Sequence, residues 1–269
     1  MRFWWNLALG LALVSCAAPP PVPDPAPLAV ATPWRARIVG EALQEWQAWG
    51  RLTVEGWPEA LPEPADPRLF DRVLTYWASV PGEGPAVAFR HRETFDALMA
   101  GLSQSGTPEA LPAISLWAYP AWSAAFVSHV MEASGVPPSV FPPAANHAAY
   151  IDFLLWQAEW NPTTAAFLPH DPARYPPQPG DLLCADRSLL PLLNWRERLA
   201  EAGQFRAMHC DVVVASAAGL VQAVGGNVLD AVVLRRFPAD VQGRVLPAPP
   251  DKPSFLLVLE NRLDAVSAE

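Results

Sequence analysis

Ser123 stands in the stretch Ala121-Trp122-Ser123-Ala124-Ala125-Phe126-Val127-Ser128, directly behind Pro120. Proline is favoured where a helix opens, so Ser123 is expected in a first helical turn. Unpaired backbone N–H groups and the positive end of the helix dipole favour a developing anion there, which suits a nucleophile. His209 opens the Val-rich run His209-Cys210-Asp211-Val212-Val213-Val214, a strand pattern, and Asn227 follows 18 residues later behind Gly225-Gly226. A hydroxyl at a helix start, an imidazole on one strand and an amide on the next make a generalised nucleophile, base and orienting group. Each residue also has a plainer use. Serine is common in first helical turns, a histidine can be satisfied inside a core, and Gly-Gly-Asn suits a turn.

The elements that must position these residues change character along the chain. Apolar residues at helical spacing mark helices over 34–50 and 68–79, with a shorter one over 93–102. A helix runs from Pro120 to about Ser134, where Gly135-Val136-Pro137-Pro138 ends it, and another covers 146–160 with Asn146 as its cap. A loop of Pro, His and Asp follows. Strands are expected at 181–185, 209–215, 220–224, 228–234 and 255–260, with a helix inserted over 190–202. Helices first and a series of antiparallel strands afterwards give an α+β fold.

Taken in order, Trp-Ser-Ala-Ala-Phe-Val-Ser, Pro179-Gly180-Asp181-Leu182, His-x-Asp-Val-Val-Val and Gly-Gly-Asn, with His147-Ala-Ala-Tyr150 among them, resemble the DUF2272 domain family. The same features are similar to the NlpC/P60 and CHAP superfamily of papain-like hydrolases. The resemblance implies a papain-like, NlpC/P60-type domain over 106–269, with helices packed on a small antiparallel sheet. A helical N-terminal extension over 34–105 precedes it. It also implies amide or peptide cleavage in peptidoglycan, with Ser123 at the nucleophile position, His209 as general base and Asn227 orienting the imidazole. Trp122, His147 and Gly226 are the expected substrate contacts. Active members of that superfamily carry cysteine where this chain has Ser123. A thiolate forms far more readily than an alkoxide, so a catalytically inactive scaffold that binds the cell wall or an envelope protein is the alternative expectation.

Residues 1–16 read as an export segment. Arg2 is the only charge before the apolar run Leu7–Val14, and small residues follow. Leu13-Val14-Ser15-Cys16 resembles the lipobox of bacterial lipoproteins, which implies lipidation of Cys16, and Ala17 after it implies outer-membrane sorting. The Pro/Ala-rich segment 17–33 suits a semi-rigid tether. Composition is 51% hydrophobic and 17% charged with 12 Trp, a profile able to form a core despite 32 Pro. Net charge is −9 with no basic run, which argues against nucleic-acid binding. The five histidines show no HExxH spacing, and no CxxC is present, so neither metal nor cofactor is expected. Cys184 and Cys210 remain, and an exported pair is able to form a disulfide. The partners expected are a peptidoglycan peptide or an envelope protein, with oligomeric state left open.

Overall fold

The computed structural model describes residues 32–60, 66–105 and 120–266. Seven strands form one mixed sheet: β1 (Thr53–Glu55), β2 (Phe167–His170), β3 (Leu182–Asp186), β4 (Met208–Ala217), β5 (Leu220–Val228), β6 (Ala231–Pro238) and β7 (Ser254–Asn261). Their spatial order is β1-β6-β5-β4-β3-β7-β2. Only β1 and β6 run parallel; every other pair is antiparallel. The helices are α1 (Trp34–Ala48), α2 (Phe70–Ala78), α3 (Gly84–Ser105), α4 (Ser123–Ala133), α5 (His147–Trp160), α6 (Trp195–Ala200) and α7 (Leu263–Val266). The architecture is α+β, and residues Thr32–Glu269 belong to one compact unit.

The sheet buries both faces, and the two differ. One carries Val212, Val224 and Leu257 against Phe126, Val127 and Val130 of α4 and Leu154 of α5. The other packs Leu183, Val213, Val221 and Phe237 against Trp57 and Val245. This explains strands that read as nearly continuous apolar runs rather than clean alternation. Central β3 is buried at all five positions. Cys184 lies directly opposite Cys210 across β3 and β4, and the two form a disulfide. Asp181 at the start of β3 is buried, paired with Arg35 of α1 at 2.8 Å, and accepts from the backbone of Gln178 and Asn261. The Pro-Gly-Asp-Leu motif therefore ties the first helix to the sheet.

Several boundaries differ from the sequence expectations. α3 begins at Gly84 rather than near Glu93, because Pro85 sits in its first turn, where no backbone N–H is required. α6 is confined to Trp195–Ala200, with the Asn194 side chain accepting from the Arg196 N–H as its cap. Gly225 and Gly226 are not a turn. β5 runs through them to Val228, with a bulge between Gly225 and Val228. The reversal is made by Leu229 and Asp230, both at positive φ, a two-residue turn of the type that matches strand twist. No helix among the described residues is long and apolar enough to cross a membrane.

Candidate active site

α4 starts at Ser123 behind the cap residue Trp122, which offers no side-chain hydrogen bond to the helix start. The first intrahelical bond is Phe126 N–H to Trp122 C=O, so the N–H groups of residues 123–125 precede the ladder. Ser123 is thus a hydroxyl at an uncapped positive helix end. Its Oγ lies 2.6 Å from His147 Nε2. His147 begins α5, whose Asn146 cap accepts from the Ala149 N–H, and Ser128 of α4 holds the segment just before it by bonds to the Ala144 backbone. The other ring nitrogen, Nδ1, is hydrogen-bonded to the Tyr150 hydroxyl one turn on. In the reactive proton arrangement, Ser123 donates to Nε2 and Nδ1–H donates to Tyr150; the reverse arrangement satisfies the same atoms.

His209 lies beside this chain, its ring centroid 5.4 Å from that of His147. Its Nε2 is 3.0 Å from Asp211 Oδ1, and the other carboxylate oxygen accepts from Arg235 at 2.9 Å. Alternation along β4 puts His209 and Asp211 on one face and Cys210 on the other, where its sulfur is committed to Cys184. Arg235 is held in turn by the Gly56 carbonyl at 3.1 Å and lies over the Trp57 ring at 4.2 Å. Strand β1 therefore serves the site by fixing the arginine that fixes the carboxylate.

Charges in this cluster are set by burial and by two opposite neighbours. Burial pushes the Asp211 carboxyl up, but Arg235 and His209 together hold it below its ordinary value. Burial lowers His209, and Asp211 opposes this only in part. His147 is held well below the ordinary histidine value, first by burial and then by the neighbouring His209. Both rings are therefore neutral near neutral pH, while Asp211 and Arg235 form the ion pair. A carboxylate only accepts, so His209 carries its proton on Nε2. Its Nδ1 is left as a lone-pair base, buried and without a hydrogen-bond partner.

The two glycines before Asn227 are explained by close approach. A Cβ on Gly225 would lie 1.9 Å from Asp211 Oδ1 and 3.0 Å from His209 Nε2. On Gly226 it would meet the Phe126 side chain of α4 at 2.5 Å. The Gly-Gly pair thus admits the His209–Asp211 pair and α4 to the surface of β5. Asn227 adopts positive φ, and its Oδ1 is buried without a partner. It lines a cavity of about 180 Å³ together with His209.

Of the residues singled out in the sequence, the structure joins Ser123 directly to His147 and places His209 next to that pair. His209 is oriented through Asp211, whereas Asn227 faces the cavity. Gly226 is a packing residue beneath α4. Trp122 is fully buried and stacks on Trp49 and Tyr76 at 5.4 and 5.6 Å, which makes it a core residue at the cap of α4. Cys16 and most of the tether lie outside the described residues. Three residues were missed: Tyr150, Asp211 and Arg235. Elsewhere, Glu41, Glu45 and His129 bring ligand-type atoms within 4.8 Å of one another, but Glu45 already holds Arg72 and Tyr76.

A family model described as "Uncharacterized protein conserved in bacteria (DUF2272)" matches residues 66–261. The chain belongs to the DUF2272 family. The matched span starts before α2 and ends with β7, so it takes in Ser123, His147, His209 and Asp211 as well as part of the segment ahead of residue 106. No curated protein and no solved structure matches the chain.

Proposed function

We propose that this chain is a bacterial envelope lipoprotein whose domain cleaves an amide bond, with Ser123 as nucleophile. The observation that carries the reading is the 2.6 Å contact between Ser123 Oγ and His147 Nε2 at the uncapped start of α4. His147 Nε2 takes the hydroxyl proton as Oγ attacks the carbonyl carbon, and the N–H groups at the helix start stabilise the oxyanion. The imidazolium then gives its proton to the departing amine, leaving an acyl-serine. His147 Nε2, free again, takes a proton from water as the water attacks the ester and returns it to the departing Ser123 Oγ, so the acid is released and the serine restored. Asp211 favours the protonated state of His147, as well as orienting His209. The likeness of the motifs to NlpC/P60 and CHAP hydrolases supports a peptidoglycan peptide as substrate. Export is supported by the segment ending at Cys16, the lipidation site in this reading, and by the disulfide, which suits an oxidising compartment. The anchor would sit in the outer membrane facing the periplasm.

A second reading has its own observation. Ser123 and His147 are only 7% and 4% exposed, and the adjoining cavity is lined by His209 and Asn227 rather than by Ser123. A serine shut beneath the surface suits a scaffold that binds cell-wall peptide or an envelope protein without cleaving it. Labelling of the full chain with a fluorophosphonate probe separates the two. Under the hydrolase reading the wild type is labelled, while Ser123→Ala and His147→Ala are not. A folded wild type that resists the probe supports the scaffold.

A further inference from the structure

The cavity beside His209 has a charge pattern opposite to that of the chain. The chain carries net −9, yet Arg187, Arg235 and Lys252 line this space and no carboxylate among the described residues does. The three cations are not equivalent. Arg235 is spent on Asp211, buried beside it. Lys252 is paired at the rim with Glu59 and Asp251, both exposed and easily displaced. Arg187, just past the end of β3, has an exposed side chain with no hydrogen-bonded or ion-paired acceptor among the described residues. A free guanidinium over a cavity, in an acidic chain, marks where a ligand's negative charge belongs.

Three further features narrow the ligand. At about 180 Å³ the space is smaller than the roughly 300–1,000 Å³ that encloses a drug-sized molecule, so it admits one residue-sized group. Its wall includes the Trp57 ring, an apolar surface for a short carbon skeleton. Asn227 contributes a buried Oδ1 with no partner, an acceptor suited to a peptide N–H. We propose that the cavity is the subsite for a carboxylate-bearing residue of a peptide, with Arg187 pairing with the carboxylate and Trp57 covering its carbon chain. One free guanidinium fork matches the two oxygens of a carboxylate. The assignment rests on the hydrolase reading for its place beside the reacting serine, and it names the substrate class: acidic peptides.

Calorimetric titration of the full chain carrying Ser123→Ala tests it, with N-acetyl-Ala-Glu as probe and N-acetyl-Ala-Gln amide as its uncharged counterpart. The acid is expected to bind at least tenfold more tightly, and adding Arg187→Gln is expected to remove that preference. Lys252→Gln should reduce it only in part. A preference below tenfold, or one that persists in Arg187→Gln, overturns the assignment. So does inorganic phosphate displacing the dipeptide at lower concentration than the dipeptide itself requires. No turnover enters the measurement, so an unreactive Ser123 would leave it interpretable on its own.

Discussion

Asp211 divides its carboxylate between His209 and Arg235, at 3.0 and 2.9 Å, and all three side chains are buried. A buried charge that loses its partner costs about 3–5 kcal/mol, whereas removing both partners together costs far less. Asp211→Asn and Arg235→Met are each expected to destabilise by that order in urea unfolding. The double variant should recover a large part of the loss. Strictly additive effects would show that the pair is not coupled. NMR titration adds a second readout: without the Asp211 charge, which raises His209, the His209 pKa moves further down.

His147 and His209 both have pKa values lowered by burial, which fixes the sign of a pH effect. Above the unfolded histidine value of about 6.5, neither state gains a proton at these sites. Below it the unfolded chain binds protons that the buried rings resist, so the native state loses stability as pH falls. Each such histidine contributes at most about 1.4 kcal/mol per pH unit. Urea midpoints at pH 7.5, 6.5 and 5.5 should therefore fall in that order. His147→Gln should make the decline shallower. An unchanged slope in the variant would mean that His147 titrates alike in both states.

The glycines of β5 separate a site effect from a packing effect. Gly225→Ala drives a methyl into Asp211 and His209, whereas Gly226→Ala drives one into Phe126 of α4. Overpacking of this kind costs about 1–3 kcal/mol. Both variants should melt at lower temperature, but only Gly225→Ala should displace the His209 ring resonances. Gly40 in α1 is the control, since a Cβ there meets nothing within 4 Å. Gly40→Ala should stabilise the protein by roughly 0.5–1 kcal/mol.

Much of the site was legible in local spacing. The Val-rich run put His209 on a strand. Ser123 does stand in a first helical turn, although α4 begins behind the cap Trp122 and Pro120 lies ahead of the helix instead of opening it. Two further local signals point to site residues. Alternation along β4 puts Asp211 on the same face as His209, and a three-residue step along α5 brings Tyr150 under His147. Both are short-range rules. The Ser123–His147 contact is different, because it joins the starts of two helices 24 residues apart, and only packing determines how those starts meet. Strands β1 and β2 were missed for local reasons. Thr53–Glu55 is only three residues long, and Phe167–His170 contains Pro169, tolerated because β2 is the sheet's last strand. Arg235 reads as an ordinary strand residue until β1 brings Gly56 and Trp57 against it. Gly225 and Gly226 mimic a turn because glycine serves both reversal and close approach.

The disulfide between Cys184 and Cys210 bears on stability and not on the chemistry of the site. It joins central strands across a separation of 26 residues. Loop-closure entropy for a crosslink of that span corresponds to about 3.5 kcal/mol. Its sulfurs lie on the face of β4 opposite His209 and Asp211, in the apolar core beneath α4 and α5, and take no part in the hydrogen bonds of the site. Replacing both cysteines with alanine is therefore expected to lower the urea midpoint by an amount of that order, with probe labelling of Ser123 unchanged relative to the wild type once the variant is folded. Single replacements should be the more harmful in an oxidising host, since each leaves one unpaired thiol that other thiols can capture during folding. Labelling lost in a fully folded double variant would instead mean that the crosslink holds β4, and with it His209, in register against α4.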